Sequence, residues 1–520
     1  MAKLIHHWLE HHASARPDAQ AATFVDQSLD FATLDARANR LANSLLEHGV
    51  ARGDRIGIFM DKSLFTPVAL HGILKAGAAY VPIDPSAPPG RVAAVIKDAG
   101  IRIVISGRDK RRALRLITPS VALDLIIGVD DPALGTPCVS LEALDSVPAT
   151  KPNVELNRDD LAYIIFTSGS TGTPKGMAHT HASCLAFSQW AVEQYALTAD
   201  DRLSNHAPLH FDLSILDYFA GVIAGCATVI IPEEYTRLPA SYATLIEEQK
   251  VSVLYTVPFA LIQLVLRGAI DRYEFKALRW VIFGGEAFAP DHLRALMDVW
   301  PHASFDNIYG PAEVNGVTHY TVPGNFDGTT AVPIGPVAEQ AHGVIVDADD
   351  RPVASGSAGE LLMASPTMMR EYWQAPELNA RAFVTRDDDG TPRRYFRTGD
   401  LVSRDARGVL EFIGRKDRQV KVRGYRIELD EIELALSQHE DVVEAAVYSI
   451  DSGDGTSAIH ARATLQDASC CDESILLRFI KDRLPWYAIP ASLSTTNVFP
   501  RTTSGKIDRR ALAQGHTAQS

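Results

Sequence analysis

RIGIFMDKSLFTPVALHGILKAGAAYVPIDP, residues 55–85, contains an apolar strand, a helix and a second apolar strand in succession. Residues 55–60 form a largely apolar run typical of a buried strand, and residues 67–76 carry a helical pattern that stops at Gly77. Residues 80–83 then form the second apolar run. Two strands joined through a helix lie parallel in one sheet, because a parallel pair needs a crossover connection. This stretch therefore predicts an α/β fold.

The same alternation of helix and strand continues on both sides of this stretch. Before it, Leu34, Ala38, Leu41 and Leu45 recur at helical spacing, and the pattern stops at Gly49. After it, a helix pattern at residues 91–99 precedes a strand pattern at 101–105, and a helix pattern at 242–250 precedes a strand pattern at 251–255. A further strand pattern at 280–283 precedes a helix pattern at 291–300. Repeated units of this kind build a mostly parallel sheet with helices on both faces. We expect a large amino-terminal body of mixed and parallel sheets with helices.

The pattern of residue types changes twice in the second half of the sequence. From about residue 334 to 413, short strands alternate with Gly, Pro and Asp turns, which predicts a smaller β-rich layer. Charge is then dense in GRKDRQVKVRG, residues 414–424, and beyond it a helix is predicted at 430–437 and a strand at 442–450. We place a domain boundary at Asp417. The prediction is a core of residues 1–416 and a small α+β domain of residues 417–520.

Composition and charge exclude several classes of protein. The 520 residues include 50 basic and 64 acidic side chains, a net charge of −14, which argues against a surface that grips nucleic acid or an anionic membrane. The five cysteines are odd in number and lack a C-x-x-C pair, which favours a reducing cytoplasm. The longest apolar run, residues 219–231, is shorter than the roughly 20 residues that span a bilayer. We expect a cytoplasmic protein that binds small molecules or another protein.

The strongest functional signal is LAYIIFTSGSTGTPKG, residues 161–176. An apolar strand leads directly into a loop of Gly, Ser and Thr that ends in Pro and Lys. Small residues let backbone N–H groups converge, hydroxyls add donors, and Lys175 supplies positive charge, so the loop suits phosphate oxygens. It is not a Walker A loop, since Pro174 stands where that pattern needs its second glycine. The alternative is a flexible surface turn. The candidate phosphate-binding residues are Thr167, Ser168, Gly169, Ser170, Thr171, Gly172 and Lys175.

TSGSTGTPKG resembles the signature of the adenylate-forming superfamily, which includes acyl-CoA ligases, luciferases and the amino-acid adenylation domains of non-ribosomal peptide synthesis. Further motifs of that superfamily follow the expected order along nearly the whole chain. They are LKAGAAYVPIDP (74–85), HFDLSILDYF (210–219), NIYGPAE (307–313), YFRTGDL (395–401), GRKDRQVKVRGYRIE (414–428), LPWYAIP (484–490) and SGKIDR (504–509). The motif QVKVRGYRIE, residues 419–428, resembles the amino-acid adenylation branch most.

This resemblance implies two half-reactions. A substrate carboxylate attacks the α-phosphate of MgATP and gives an acyl adenylate and pyrophosphate. A thiol, usually the phosphopantetheine of a carrier protein, then takes the acyl group. The first step is an in-line phosphoryl-type transfer, in which positioning and charge neutralisation supply most of the rate.

The resemblance also implies roles for individual residues. Lys506 matches the lysine that bridges the substrate carboxylate and the phosphate, and Glu313 matches the acid associated with Mg²⁺. Asp400 matches the carboxylate that accepts hydrogen bonds from both ribose hydroxyls. The remaining matches to nucleotide-binding positions are Gly285, Glu286, Asn307, Tyr309 (beside the adenine), Gly310 and Arg415.

Asp417 matches the hinge residue about which the small carboxy-terminal domain rotates, carrying Lys506 out of the site for the thiol step. Each of these assignments has a plainer alternative. Lys506 can be a solvated surface residue, Asp400 an ordinary turn aspartate after Gly399, and Asp417 a solvated acid in a charged loop.

Asp212 stands within the apolar stretch HFDLSILDYF, where burying a charge without a partner is costly. In amino-acid adenylation domains the matching Asp binds the substrate's amino group, and acyl- and aryl-activating relatives generally lack it. The alternatives are that Asp212 caps a helix beginning at Ser214 or pairs with a lysine or arginine of the protein.

The other substrate-pocket positions carried over from the resemblance bear no charge. They are Leu213, Leu216, Thr256, Ile282, Gly284, Ile308, Gly316 and Val317, beside Lys506. A charged substrate side chain would be unpaired there, which favours a small or medium neutral amino acid: alanine, glycine, serine, proline or valine. A β-amino or non-proteinogenic acid stays open, since one methylene is worth only about 1–3 kcal/mol in an apolar pocket.

Some features depart from the family's pattern. Ala312 replaces the threonine common in YGPTE, and Ala488 and Ser504 also stand where other residues are usual. No carrier motif follows Lys506, so we expect the protein to load a separate carrier protein in trans. An acyl- or aryl-CoA ligase of the same superfamily is the alternative function.

Overall fold

The computed structural model describes residues 4–169, 174–388, 390–451, 457–466, 472–502 and 506–517. The chain divides into two compact units. The larger unit comprises Met1–Pro85, Ile96–Phe166 and Gly176–Lys416, and the smaller unit comprises Ser86–Val95, Thr167–Lys175 and Asp417–Ser520. Among the described residues, no helix has both the length and the apolar character needed to traverse a bilayer.

Residues 55–85 form the middle of the first sheet. Their strands are Arg55–Phe59 and Ala79–Pro82, which pair in parallel through the helix Phe65–Lys75. Within the described residues this sheet has eight strands, in the spatial order Glu371–Tyr372, Lys175–Thr180, Leu161–Thr167, Ala79–Pro82, Arg55–Phe59, Ile103–Ser106, Leu125–Ile127 and Cys138–Val139. The parallel crossover expected from the sequence is confirmed.

A second sheet, also of eight strands in the described part of the chain, carries most of the candidate pocket residues. Its order is Thr318–Thr321, Ser304–Tyr309, Trp280–Gly284, Val253–Thr256, Arg202–Asn205, Ala227–Ile230, Gln20–Phe24 and Gln27–Asp30. The six inner strands are parallel, and the two edge strands are antiparallel to their neighbours. The inner strands therefore end at one edge of the sheet, where ligands bind in open α/β folds.

Helices cover these sheets because their apolar residues recur on one face. The helix Phe31–Glu47 buries Leu34, Ala38, Leu41 and Leu45, and its N-cap Asp30 accepts a 2.6 Å hydrogen bond from the backbone of Thr33. The other helices up to residue 382 are Ile5–Ala15, Phe65–Lys75, Pro89–Ala99, Arg111–Ile117, His181–Gln194, Leu213–Ile215, Gly221–Ala224, Glu233–Thr236, Pro239–Glu248, Pro258–Arg267, Pro290–Val299 and Pro376–Ala382. A π-helical turn, Leu216–Ala220, continues the helix Leu213–Ile215.

The β-rich layer is an antiparallel sheet. Its strands pair in the order His342–Val346, Gly359–Ala364, Arg393–Arg404 and Phe383–Arg386, and Leu410–Arg415 pairs with the long strand Arg393–Arg404. One short strand in this part of the chain, Glu371–Tyr372, instead pairs with Met177 and Ala178 of the first sheet.

The carboxy-terminal segment of the smaller unit is α+β. A hairpin of Gln419–Val422 and Tyr425–Glu428 leads into the helix Leu429–Ser437. The strands Val442–Asp451, Ser457–Leu465 and Ser492–Thr495 form a sheet, and the helices Glu473–Lys481 and Arg509–Thr517 accompany it. A large α/β-rich body with a small carboxy-terminal domain was expected from the sequence, and this fold class is confirmed.

Candidate functional site

A buried carboxylate, Asp400, is held by two donors from different strands. The Tyr309 hydroxyl donates to its Oδ2 and Arg415 Nη1 donates to its Oδ1, each at 2.5 Å. Asp400 and Arg415 face each other because the strands Arg393–Arg404 and Leu410–Arg415 pair at these residues. A carboxylate oxygen has two lone pairs, so each oxygen of Asp400 can accept one further donor. Two vicinal hydroxyls of a sugar match this arrangement.

Charge and burial both act on the phenol of Tyr309. Burial raises its pKa well above the usual value, and the neighbouring negative charge of Asp400 raises it further. The phenol therefore stays protonated at neutral pH and keeps donating to Asp400. The Tyr309 hydroxyl thus donates to the carboxylate, and the expected place of this residue beside the adenine stays a prediction.

Glu313 is a second fully buried carboxylate, and it receives a hydrogen bond from Tyr372. The Tyr372 hydroxyl donates to Glu313 Oε1 at 2.6 Å, and the backbone N–H of Met369 donates to the Glu313 carbonyl at 2.7 Å. Asn379 fixes Tyr372, because its Oδ1 accepts from the Tyr372 backbone and its Nδ2 donates back to the Tyr372 carbonyl. Sequence reasoning missed Tyr372 and Asn379, since no motif links them to Glu313.

The donor chemistry at Glu313 fits Mg²⁺. A carboxylate oxygen is the hard ligand that Mg²⁺ prefers, and this ion usually binds one or two carboxylates, with waters and substrate phosphates completing its shell. In the described part of the chain, no group of three or more His, Cys, Asp or Glu side chains is arranged to hold a metal ion.

The phosphate-loop residues Thr167, Ser168 and Gly169 are described, whereas Ser170, Thr171 and Gly172 lie outside the described residues. Within the smaller unit, the Ser168 hydroxyl donates to the Arg426 carbonyl at 3.0 Å. Lys175 Nζ lies 3.4 Å from Glu428 Oε1 in the same unit. The loop lysine therefore has a carboxylate neighbour within the smaller unit.

Other residues assigned to the nucleotide have contacts of their own in the larger unit. Glu286 Oε1 accepts from the backbone N–H of Phe259 at 2.9 Å, at the start of the helix Pro258–Arg267. Asn307 Nδ2 donates to the Pro333 carbonyl at 2.9 Å. Gly285 adopts a φ of 94°, a backbone conformation that favours glycine.

Asp212 lies immediately before the short helix Leu213–Ile215 and is half-buried. It occupies the N-cap position, but its side chain makes no capping hydrogen bond. The alternative that Asp212 caps a helix beginning at Ser214 is therefore wrong. Burial raises the pKa values of Tyr163 and Tyr255, and the negative charge of Asp212 is a lesser cause that raises both.

Most of the candidate pocket residues lie at the ends of the parallel strands or just beyond them. Gly284 pairs with Ile308 across adjacent strands, and a Cβ atom at Gly284 would lie 2.3 Å from the Ile308 carbonyl oxygen. A Cβ atom at Gly316 would lie 2.5 Å from Ile308 Cδ1. The Ile308 side chain thus packs over Gly316. Leu216, Thr256, Ile282, Ile308 and Val317 are buried, and Leu213 is half-buried.

Lys506 and Asp417 belong to the smaller unit. The side chain of Lys506 is exposed, and its carbonyl accepts a hydrogen bond from the Thr502 backbone at 2.8 Å. Asp417 Oδ1 accepts from the backbone N–H of Gln419 at 3.3 Å, at the start of the hairpin. This hydrogen bond joins residues only two positions apart. The hinge role of Asp417 stays a prediction.

The chain matches two family models along most of its length. The model described as AMP-binding enzyme matches residues 9–373, and the model of the AMP-binding enzyme C-terminal domain matches residues 431–506. An L-proline--[L-prolyl-carrier protein] ligase of Pseudomonas fluorescens is 33% identical over 520 residues, which cover 98% of this chain and 99% of that protein.

Two further relatives differ in how much of them the chain spans. Tyrocidine synthase 3 of Brevibacillus parabrevis is 33% identical over 521 residues, which cover 99% of this chain but only 8% of that protein. The solved structure of the amide bond synthetase McbA of Marinactinospora thermotolerans has the same fold, with a TM-score of 0.87, 23% identity and coverage of 98% of this chain and 99% of that chain.

Proposed function

The chain belongs to the AMP-binding enzyme family and is an adenylate-forming enzyme of the non-ribosomal peptide synthetase adenylation type, and from this premise we propose that it activates a neutral amino acid with ATP. The product of this step is an aminoacyl-AMP. The aminoacyl group then passes to the phosphopantetheine thiol of a separate carrier protein. The relative from Pseudomonas fluorescens, which is named as a ligase for a prolyl-carrier protein, supports the carrier as acceptor.

The observation that carries this proposal is the place of Asp212, a half-buried carboxylate directly before the helix Leu213–Ile215, in the segment that also carries the candidate pocket residues Leu213 and Leu216. A substrate ammonium group would form an ion pair with this carboxylate. The other candidate pocket residues include Leu213, Ile308 and Val317, which are apolar and favour a substrate side chain without charge. The substrate proposed is therefore a small or medium neutral amino acid.

The nucleotide half of the proposal assigns the ribose hydroxyls to Asp400. Arg415 and Tyr309 hold the two oxygens of this carboxylate in place, so the ribose meets a fixed acceptor and the reacting phosphate starts from one position. Mg²⁺ held by Glu313 would neutralise phosphate charge as pyrophosphate leaves. Lys175 would bind the outgoing phosphates from the loop of residues 167–175.

Lys506 supplies the last positive charge of the proposed reaction. Its ammonium group would bridge the substrate carboxylate and the α-phosphate, where it offsets the repulsion between two anions as they approach. Asp417 is proposed as the hinge that lets Lys506 leave before the thiol step. The side chain of Lys506 is exposed and long, which suits a residue that meets its substrate only for one half-reaction.

The test of the proposed function is ATP–pyrophosphate exchange across a panel of amino acids, fatty acids and aryl acids. We expect exchange with one or a few neutral amino acids. Asp212→Ala should abolish amino-acid exchange, whereas Asp200→Ala, at an exposed aspartate outside the pocket, should leave it unchanged. Exchange with fatty or aryl acids alone would overturn the proposal in favour of an acyl- or aryl-CoA ligase.

A second experiment separates the two half-reactions. Lys506→Ala should lower the rate of adenylate formation by about 100-fold or more, because it removes a charge that acts in the transition state. Thiolation from chemically prepared aminoacyl-AMP should change little, since that step does not use Lys506. Equal losses in the two steps would contradict the role given to this lysine.

A further inference from the structure

Lys62 is a buried lysine that follows the strand Arg55–Phe59 and that the proposed reaction does not use. Its side chain is 7% exposed. Its Nζ donates to three consecutive backbone carbonyls, those of Asn205, His206 and Ala207, at 3.0, 2.7 and 3.3 Å. An ammonium group has three N–H donors, so all of them are used. One ammonium group thus binds three consecutive carbonyls where the strand Arg202–Asn205 ends, and it fixes the backbone at this point.

The surroundings of Lys62 keep this cation charged at neutral pH. Burial lowers its pKa to about 8, and the negative charge of Glu233 opposes that decrease. Burial also raises the pKa of Asp217 well above its usual value, which favours the neutral form of that carboxyl group. Asp217 is itself held in place, because Asn205 Nδ2 donates to its Oδ2 at 2.9 Å. A buried ion persists only where hydrogen bonds and opposite charge compensate its lost hydration. At Lys62 the three carbonyl acceptors and the negative charge of Glu233 supply this compensation.

The clamped backbone leads directly into the candidate substrate pocket. His206, whose carbonyl makes the shortest bond to Lys62, directs its ring Nδ1 to Thr256 Oγ1 at 2.8 Å. The same ring stacks on Tyr242, with 4.9 Å between ring centroids. The position of the Lys62 ammonium therefore constrains a side chain that contacts the pocket residue Thr256.

The far end of the same segment is fixed as well. The Ser214 hydroxyl bonds to the carbonyls of Phe211 and Leu209, at 2.6 and 3.2 Å. Asp212 stands just before this point. Residues 205–214 are thus held at their start by Lys62 and at their end by Ser214, with Asp212 between these two anchors.

We infer that Lys62 is a positioning residue for the substrate pocket, which orients His206 against Thr256 and sets the start of the segment that carries Asp212. This inference rests on the proposed function, because it takes these residues as the substrate site. Lys62 follows the strand Arg55–Phe59 of the first sheet, and the carbonyls that it binds lie at the end of the strand Arg202–Asn205 of the second sheet. Its ammonium group bonds to the start of the substrate segment through backbone carbonyls.

The test compares Lys62→Met with Lys75→Met in ATP–pyrophosphate exchange, using the amino acid that gives the highest wild-type rate. Lys75 is a matched control, because it is 3% exposed and donates to Asp35, Asn39 and Glu10, none of which is among the candidate site residues. Lys62→Met should raise the KM for the amino acid about tenfold, equivalent to about 1.4 kcal/mol, and leave the KM for ATP within about twofold. Lys75→Met should lower the thermal midpoint but leave both KM values within about twofold.

An unchanged amino-acid KM in Lys62→Met, or an equal rise in both KM values, would overturn the inference. If Lys62→Met does not fold, Lys62→Arg supplies the test. It keeps the charge but presents a planar fork that does not match three converging carbonyls. We expect a smaller rise in the same KM, and no rise would overturn the inference. If the wild type activates only another class of carboxylic acid, the proposed function fails, and the KM ratio for that acid still tests Lys62.

Discussion

Tyr372 donates a hydrogen bond to a carboxylate that has no exposure to solvent, Glu313. A hydrogen bond to a charged group contributes about 1.5–3 kcal/mol, and the Tyr372 hydroxyl is the donor of this one. We therefore predict that Tyr372→Phe lowers the free energy of unfolding of the larger unit by about 1.5–3 kcal/mol. Denaturant unfolding followed by intrinsic fluorescence measures this change.

Tyr80→Phe is a matched control for Tyr372→Phe, because it makes the same substitution at another buried tyrosine. Its ring is also buried, but within the described residues its hydroxyl makes no hydrogen bond. Tyr80→Phe removes the same atom without breaking a bond, so the unfolding midpoint should stay unchanged or rise slightly. Equal effects of Tyr372→Phe and Tyr80→Phe would show that the Glu313 contact contributes nothing beyond the loss of a hydroxyl.

At the scale of single elements, the strand ends determine where the candidate site lies. Thr256, Gly284 and Tyr309 are the last residues of three neighbouring parallel strands, so the alternation of strand and helix brings them to one edge. The turn after the strand Ser304–Tyr309 is tight. A Cβ atom at Gly310 would lie 1.5 Å from the carbonyl oxygen of Asn315.

Gly310→Ala should therefore destabilise the larger unit by about 1–3 kcal/mol or more, because backbone rather than a flexible side chain blocks the new methyl group. Gly324→Ala is the control, since a Cβ atom there meets nothing within 4 Å. The measurement is the denaturant midpoint of each purified variant. A midpoint for Gly310→Ala equal to that of Gly324→Ala would mean that the turn widens at no cost.

At the scale of the whole molecule, histidines whose pKa values are lowered by burial predict sensitivity to acid. Burial is the main cause that lowers the pKa values of His71 and His206 to about 3 and those of His179 and His181 to about 4. In the unfolded chain these imidazoles bind protons near pH 6.5, whereas in the folded protein they stay neutral until about pH 4. The unfolded state therefore binds more protons between these values, and stability decreases as the pH falls.

Each such histidine contributes a slope of about 1.4 kcal/mol per pH unit in that window. The denaturant midpoint should decrease steadily from pH 7 to pH 5. His71→Leu should reduce the slope, whereas His11→Gln, at an exposed position, should not. A midpoint independent of pH between 7 and 5 would contradict the neutral state of these side chains.

The sequence alone determined the fold class, because the period of apolar residues and the glycines that end helices are local properties. The helix predicted over residues 67–76 is observed at Phe65–Lys75, and the strand predicted over 442–450 is observed at Val442–Asp451. The ordered motifs identified the family for the same reason, since each is a short run of neighbouring residues. The roles of Lys506, Asp417 and Asp212 stay predictions.

Only the tertiary structure decided which side chains support these residues. Tyr372 and Glu313 are 59 residues apart, Tyr309 and Asp400 are 91 apart, and Lys62 and the His206 carbonyl are 144 apart. No periodicity or short motif relates positions so distant. Their contacts depend on the side-by-side packing of strands and on burial that forces each polar group to find a partner. Sequence patterns therefore predicted which residues take part in the reaction. Tertiary packing determined which distant side chains hold those residues in position.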